Sequence, residues 1–105
     1  MTKVLTITKK DIAKQTAKLV DEPIYYTKKI VDGVFTTLRE IMSEANPEIR
    51  IEIRDFGVFE VKKAKPKPKA RNPKTGEVIY VPAHRKTHFK AGKMLKGVLK
   101  KPLEL

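Results

Sequence analysis

The chain of 105 residues contains no cysteine and no tryptophan, and aromatic side chains make up only 7% of it. The lack of cysteine excludes disulfides, zinc–thiolate sites and cysteine nucleophiles, and it is compatible with a reducing compartment. No apolar run approaches the roughly 18 residues that are needed to span a bilayer. The amino terminus has no apolar core followed by a small-residue cleavage site, so we expect no secretory signal.

Acidic residues are scarce outside the middle of the chain, and the net charge is +12. Residues 21–60 carry five basic and nine acidic residues, whereas residues 61–105 carry fourteen basic and two acidic residues. This excess predicts a polyanionic partner, with nucleic acid as the first choice and an anionic membrane surface as the alternative. We expect residues 21–60 to be scaffold and the carboxy-terminal half to be the working surface.

Two helices are predicted in the first half of a chain whose length indicates one domain. A capping-box pattern, Thr8 to Asp11, predicts a helix over about 9–20, and Pro23 marks the start of a second helix. From Ile30 to Ala45, apolar residues recur at helical spacing. This apolar stripe is longer than the first helix can cover, so we expect a second copy of the chain to bury it.

The second half of the chain has the period-two pattern of strands. Residues 49–53 alternate between isoleucine and charged residues, and a tight connection at 55–57 leads to a second strand. A returning strand is predicted over 77–81, and a short amphipathic helix over 93–101. The order α-α-β-β-β-α indicates an α+β fold.

Cations occupy every second position of the segment that leads to the returning strand. They are Lys63, Lys65, Lys67, Lys69 and Arg71. In a regular strand they would share one face of a β-ribbon, and such a ribbon fits a DNA groove. A solvated, disordered charge run is the alternative, but strand patterns and a defined turn frame this segment. Because like charges repel, its order is expected to come from an external polyanion.

The turn at the end of this ribbon contains Pro73, flanked by Arg71 and Asn72. An apolar wedge between base steps can kink DNA from the minor groove, and proline can serve as that wedge. An ordinary turn sequence is the alternative interpretation of the same residues.

The sequence offers little for catalysis, and we expect no enzyme, no cofactor and no metal site. His84 and His88 are the only imidazoles, and Arg85 and Lys86 between them would repel a metal ion. Solvated or phosphate-facing histidines are the favoured interpretation. The acids of the middle segment show no pairing for acid–base work, and Gly92-Lys93 lacks the surroundings of a P-loop.

Three blocks of sequence resemble the HU and integration host factor family of bacterial histone-like DNA-bending proteins. They are Asp55–Val61, Ala70–Glu77 and Phe89–Lys93, and they occur in the family's order and spacing. The resemblance covers about residues 6–101. It implies an intertwined dimer with a helical base, a small antiparallel sheet and extended β-ribbon arms.

The resemblance implies a single HU-type domain over residues 1–105. Its predicted parts are an extension over 1–7, a helical part over 8–45, sheet over 48–61 and 78–90, arm and tip over 62–77, and a last helix over 91–101. The implied DNA contacts are Lys63, Lys65, Lys67, Lys69, Arg71, Asn72, Pro73, Lys74, Arg85, Lys86, Lys90 and Lys93. Pro73 would be the intercalating residue, and Phe56, Phe59 and Phe89 would be core aromatics.

The implied function is that of a cytoplasmic, nucleoid-associated protein that binds double-stranded DNA as a homodimer. It would bend the duplex with little sequence specificity and help to compact the chromosome. The alternative in the same class is a sequence-selective bender, similar to integration host factor and working as half of a heterodimer. RNA binding of the ribosomal-protein type is an alternative of another class. A membrane partner is not expected, because the basic ribbon has no Trp or Phe anchor.

The chain departs from the family pattern at three places. Asp55 stands where a glycine is usual, and Ala91 stands before Gly92 in place of a common proline or serine. The outgoing strand of the arm is one residue longer than in many members, which predicts a β-bulge.

Overall fold

A computed structural model describes residues 4–104 and divides the chain into two compact units, one that ends at Ser43 and one that starts at Glu44. Part of the predicted extension over 1–7, residues 1–3, lies outside the described residues. The single domain predicted over 1–105 stays a prediction. The fold contains helices and antiparallel strands, as the α+β prediction requires.

The first unit contains α1 (Lys9–Val20) and α2 (Ile24–Ser43). Thr8 caps α1 as predicted: its Oγ1 accepts from the Asp11 amide at 3.3 Å, and its own amide donates to Asp11 Oδ2 at 3.0 Å. These bonds satisfy amides that the first turn of a helix leaves without partners. Asp21 ends α1 in the left-handed conformation at φ 55°. The predicted helix over 9–20 is therefore confirmed.

Small side chains lie between the two helices, while much of the apolar stripe of α2 lies outside this contact. Ala13 and Ala17 of α1 are buried, as are Thr27 and Val31 of α2. In the single chain, however, other members of the stripe are well exposed: Ile30 by 48%, Val34 by 51% and Phe35 by 40%. Helix α1 therefore leaves a large part of the stripe uncovered, as we predicted because the stripe is longer than this helix.

The second unit contains two antiparallel sheets and a short helix. A three-stranded sheet has the order β1 (Ile49–Ile53), β2 (Gly57–Ala64), β5 (His84–Ala91). A separate two-stranded ribbon, which we call the arm, consists of β3 (Lys67–Arg71) and β4 (Val78–Val81). Helix α3 (Lys93–Leu99) follows β5.

The boundary between sheet and arm differs from the one that the sequence predicted. Strand β2 continues to Ala64, and the predicted sheet strand over 78–90 is divided, so that Val78–Val81 belongs to the arm. Pro66 and Pro82 lie in the two gaps. Because proline has no amide hydrogen, neither residue can donate to a ladder, which explains why pairing stops there.

The carboxy-terminal helix is also shorter than its predicted range of 91–101. Ala91 is the last residue of β5 and pairs with Gly57, and Gly92 is the N-cap of α3. The Gly92 amide donates to the Phe56 carbonyl at 2.8 Å, which fixes the chain before α3 begins.

One face of the three-stranded sheet is apolar and contains an aromatic cluster. The ring centroids of Phe59 and Phe89 are 4.8 Å apart, and those of Phe56 and Phe89 are 5.2 Å apart. A Cβ at Gly57 would collide with the Lys90 carbonyl and the Phe89 ring, so this position requires glycine. The three rings pack on one another, but Phe56 is 44% exposed and Phe89 is 37% exposed, so the prediction of core aromatics is not confirmed in the single chain. Asp55, which turns the chain from β1 to β2, has a φ of 63°, in the region that favours glycine.

Candidate nucleic-acid interface

The opposite face of the three-stranded sheet brings basic side chains from all three strands together. Arg50 of β1 is in register with Glu60 of β2, which is in register with His88 of β5. Cross-strand partners lie on the same face, and so do alternate residues of one strand. We call this surface the polar face, and its charged and imidazole side chains are Arg50, Glu52, Glu60, Lys62, His84, Lys86, His88 and Lys90. Four basic and two acidic side chains make it cationic before its histidines are counted.

Glu60 lies at the centre of the polar face and is only 6% exposed. Lys90 Nζ is 3.2 Å from its Oε1, Lys62 Nζ is 3.8 Å from the same oxygen, and Arg50 Nε is 3.8 Å from Oε2. The Lys90 contact is an ion pair rather than a well-directed hydrogen bond. Lys90 first, and then Lys62 and Arg50, lower the pKa of the Glu60 carboxyl, although burial opposes them. Glu60 therefore carries a negative charge that holds three cations close together.

The arm does not keep its five predicted cations on one face. Lys67 pairs with Val81, whereas Ala70 pairs with Ile79, so β3 contains one more residue than β4 over this interval. This irregularity confirms the predicted β-bulge. Because Arg71 pairs with Val78, the bulge leaves Lys67 and Arg71 on opposite faces of the arm. The prediction of one continuous lysine face was therefore wrong, since it assumed a regular strand.

The tip of the arm is a closed turn from Asn72 to Glu77. The Asn72 amide donates to the Glu77 carbonyl and the Gly76 amide donates to the Asn72 carbonyl, both at 2.7 Å. The Lys74 amide also donates to Asn72 Oδ1 at 2.9 Å. Gly76 has a φ of 75°, which a side chain would disfavour. Pro73 is therefore presented at the end of the arm by a turn that its neighbours define.

Two predicted DNA contacts lie on the apolar side of the sheet. Lys63 and Arg85 are cross-strand partners, and their positions in β2 and β5 place them on the face opposite Lys62 and Lys86. Arg85 Nη1 donates to the Ala45 carbonyl at 2.8 Å, so this guanidinium has a structural bond. The adjacent residues Arg85 and Lys86 therefore do not face the same surface, and a DNA contact from Arg85 stays a prediction that this geometry does not support.

The remaining predicted contacts lie along the arm, on the polar face or at a helix start. Lys65 lies in the gap between β2 and β3, and Lys67 and Lys69 belong to β3. Lys86 and Lys90 belong to the polar face. Lys93 is the first residue of α3.

Two members of the polar face, Arg50 and Lys62, were not among the predicted DNA contacts. The signal was available in the alternation of β1 and β2. Residues that alternate with Ile51 and Phe59 must point away from the apolar face. Following that alternation across both strands identifies Arg50 and Lys62 as basic residues of the outer surface.

A groove connects the polar face with the base of the arm. Its lining is Lys62, Lys63, Ala64, Lys65, Pro66, Lys67, Ala70, Val81, His84, Lys86, Thr87 and His88. Basic side chains from β2, β3, β5 and the β2–β3 gap therefore converge on one depression. Such a surface suits a row of phosphates better than an apolar ligand.

Residues 4–104 lack two other kinds of site. The described part of the chain contains no cluster of three or more His, Cys, Asp or Glu residues placed to hold a metal ion. None of the helices in that range combines the length and hydropathy required to cross a bilayer.

Comparison with known proteins gives a consistent result. The sequence profile described as "Bacterial DNA-binding protein" matches residues 7–100. Integration host factor subunit beta of Actinobacillus pleuropneumoniae serotype 3 is 38% identical over 90 residues, which cover 86% of this chain and 94% of that protein. Integration host factor subunit alpha of Bordetella pertussis is 34% identical over 97 residues, which cover 92% of this chain and 82% of that protein.

A solved structure gives the same match in three dimensions. The Anabaena HU–DNA cocrystal structure superposes with a TM-score of 0.77 at 25% sequence identity. The alignment covers 91% of this chain and all of that chain (100%).

Proposed function

The chain belongs to the bacterial DNA-binding protein family that includes HU and the integration host factor subunits, and on this basis we propose that it is an architectural protein that binds duplex DNA as a dimer and bends it. It acts by binding alone and catalyses no reaction. By coating and bending DNA it helps to compact the chromosome, which makes it a component of the nucleoid.

The observation that carries this proposal is the arm with its tip. A two-stranded ribbon has the width that a DNA groove admits, and the hydrogen-bonded turn presents Pro73 at its end. Arg71 and Asn72, next to the proline, offer donors to the acceptors of the minor groove. Insertion of Pro73 between two base pairs would unstack them and kink the duplex.

The polar face and the groove supply affinity without sequence information. Each cation that neutralises a phosphate releases a condensed counterion, so the logarithm of the binding constant falls with the logarithm of salt by about 0.9 per phosphate. Lys62, Lys86 and Lys90 are available for such contacts on the polar face. Sequence preference then arises from the cost of bending each duplex rather than from base contacts.

The exposed stripe of α2 supports the dimer. A chain of this size has a thin core. The exposed apolar surface of Ile30, Val34 and Phe35 is removed from water only if another surface covers it. A second copy of α2 offers the same apolar pattern and so a self-complementary interface. Two copies would place two arms on one duplex.

A fluorescence assay tests the proposed bending directly. A random duplex of about 35 base pairs, roughly a quarter of the persistence length of DNA, carries a donor and an acceptor at its ends. We expect energy transfer to rise as protein is added and the rise to shift to higher protein concentration when salt is increased. Tight binding with no change in energy transfer would contradict bending by this chain.

A sequence-selective bender of the heterodimeric type is the second candidate. It is favoured by the identity of 34–38% to integration host factor alpha and beta subunits. Competition between a defined site, selected from a random pool, and the random pool itself separates the candidates. Preference by more than about tenfold, or 1.4 kcal/mol, would favour the selective bender, and equal competition favours the general one. The same assay with A-form RNA of equal length tests RNA as a partner.

A further inference from the structure

The two histidines of the chain lie on the polar face, inside the groove. His84 and His88 are on the same face of β5, separated by Lys86, and all three line the groove. Their side chains are exposed. The cationic row of β5 therefore contains two imidazoles, the kind of side chain that can gain a positive charge by binding a proton.

The hydrogen bond of His84 determines what its ring can offer to a phosphate. Its Nδ1 lies 3.0 Å from the Pro82 carbonyl. A carbonyl oxygen can only accept, so Nδ1 carries the hydrogen and the neutral ring has a lone pair on Nε2. That lone pair repels a phosphate oxygen, whereas protonation turns Nε2 into a charged donor. The same ring is thus a poor phosphate contact when neutral and a good one when protonated.

His88 occupies a position with both signs of charge nearby. Glu60 is its cross-strand partner, but three cations already surround that carboxylate. The charged side chains of the polar face and of the groove lining are Arg50, Glu52, Glu60, Lys62, Lys63, Lys65, Lys67, Lys86 and Lys90. Cations dominate this set, so the duplex itself is the main source of negative charge for an imidazolium in the groove.

We propose that His84 and His88 are pH-dependent contacts to the DNA backbone, so that this protein binds a duplex more tightly at pH 5.8 than at pH 8.0. A phosphate beside an imidazole favours its charged form, and linkage then requires protonation to favour phosphate binding by the same amount. The inference rests on the proposed function, since it adds two contacts to the same DNA-binding surface.

The test measures the salt dependence of DNA binding at pH 5.8 and at pH 8.0. For the native protein we expect the slope of log K against log salt to be steeper at pH 5.8, by about 0.9 for every imidazolium that contacts a phosphate. In the double variant His84→Gln/His88→Gln, the slopes at the two pH values should coincide. A double variant that keeps the full pH dependence of the native protein would overturn the proposal.

A matched control places one imidazole outside the groove. Gln15 is exposed on α1 and is not among the residues that line the groove. In the double variant, adding Gln15→His should leave the slopes coincident. If it restores the pH dependence, an imidazole elsewhere on the chain suffices and the proposed contacts are excluded. Thermal melting shows whether each variant is folded.

The proposed function is judged by a separate readout. The double variant His84→Gln/His88→Gln lacks both imidazoles, so its bending at pH 8.0 does not depend on these contacts. If the native protein bends DNA normally at pH 8.0 but its binding shows no dependence on pH, the inference about the histidines is contradicted and the proposed function is not. Absence of bending at both pH values contradicts the proposed function itself.

Discussion

At the scale of single residues, Pro73 separates bending from binding. The turn that presents it is held by bonds of Asn72 and Gly76, so Pro73→Ala should leave the tip intact while it shortens the wedge. We expect the variant to lose most of the energy-transfer change in the bend assay and to keep its affinity within about tenfold, or 1.4 kcal/mol.

The control for Pro73 is Pro102→Ala, which removes a proline from the carboxy-terminal tail and should change neither quantity. Equal losses of bending and affinity in Pro73→Ala would contradict the wedge and indicate a general binding contact.

The buried charge of Glu60 leads to a separate prediction about how the melting temperature depends on pH. Because cations lower its pKa in the folded protein, its stabilising contribution is present above the ordinary glutamate value of 4.5 and disappears as pH falls through the lower folded value. In Glu60→Gln, three cations lose their shared partner. We therefore expect a lower melting temperature at pH 7 and a smaller loss of melting temperature on going from pH 5 to pH 3.

Glu40→Gln, on the exposed surface of α2, is the matched control for this change of charge. It should melt like the native protein at pH 7 and lose melting temperature with acid as the native protein does. A melting temperature of Glu60→Gln that equals the native one at pH 7 would show that Glu60 does not organise the cations around it.

At the scale of the structural elements, the arm lysines should determine much of the salt dependence. If Lys65, Lys67 and Lys69 each contact a phosphate, replacing all three by Gln should make the slope of log K against log salt shallower by about 2.7. The slope is obtained from fluorescence anisotropy at four or more salt concentrations.

A triple substitution of Lys96, Lys100 and Lys101 to Gln removes the same charge from α3 and the tail, and it should change the slope much less. Equal changes in the two triple variants would mean that net charge alone, rather than the arm, determines binding.

The same elements show which parts of the fold a sequence can predict. Local signals were sufficient for α1, because the capping bonds of Thr8 and Asp11 join residues three apart. They were insufficient for the arm, because its boundaries depend on which residues pair across β2 and β5 and across β3 and β4. The bulge was expected from length, but its effect on Lys67 and Arg71 was visible only in the register.

For the candidate site, the sequence predicted that an arm with a turn at its tip exists. It was not used to work out which residues of a strand share a face, although the alternation of side chains gives that information. Arg85 was grouped with Lys86 because they are adjacent, although adjacent residues of a strand face opposite sides. Arg50 was overlooked because acidic residues surround it in the sequence, and Lys62 because it lies just outside the alternating run that begins at Lys63.

At the scale of the whole molecule, the apolar stripe of α2 should determine the oligomeric state. Val34 is in the middle of this stripe and is half exposed in the single chain. Val34→Glu would place a charge in the proposed dimer interface without a partner. We expect it to raise the dimer dissociation constant at least tenfold, which corresponds to about 1.4 kcal/mol, as measured by sedimentation.

Lys29→Glu is the control, because position 29 is exposed and lies on the opposite side of α2 at 100° per residue. It should sediment like the native protein. Unchanged self-association of Val34→Glu would exclude the stripe as the dimer interface.

The two interruptions of pairing beside Pro66 and Pro82 have a mechanical consequence. Ladder pairing ends at Ala64 and His84 on one side and resumes at Lys67 and Val81 on the other. Rotation within this gap breaks no ladder bond, so it costs less than flexing either sheet. We therefore expect the arm to bend about this gap, which would let it close on a duplex from the side and bind DNA that has no free end.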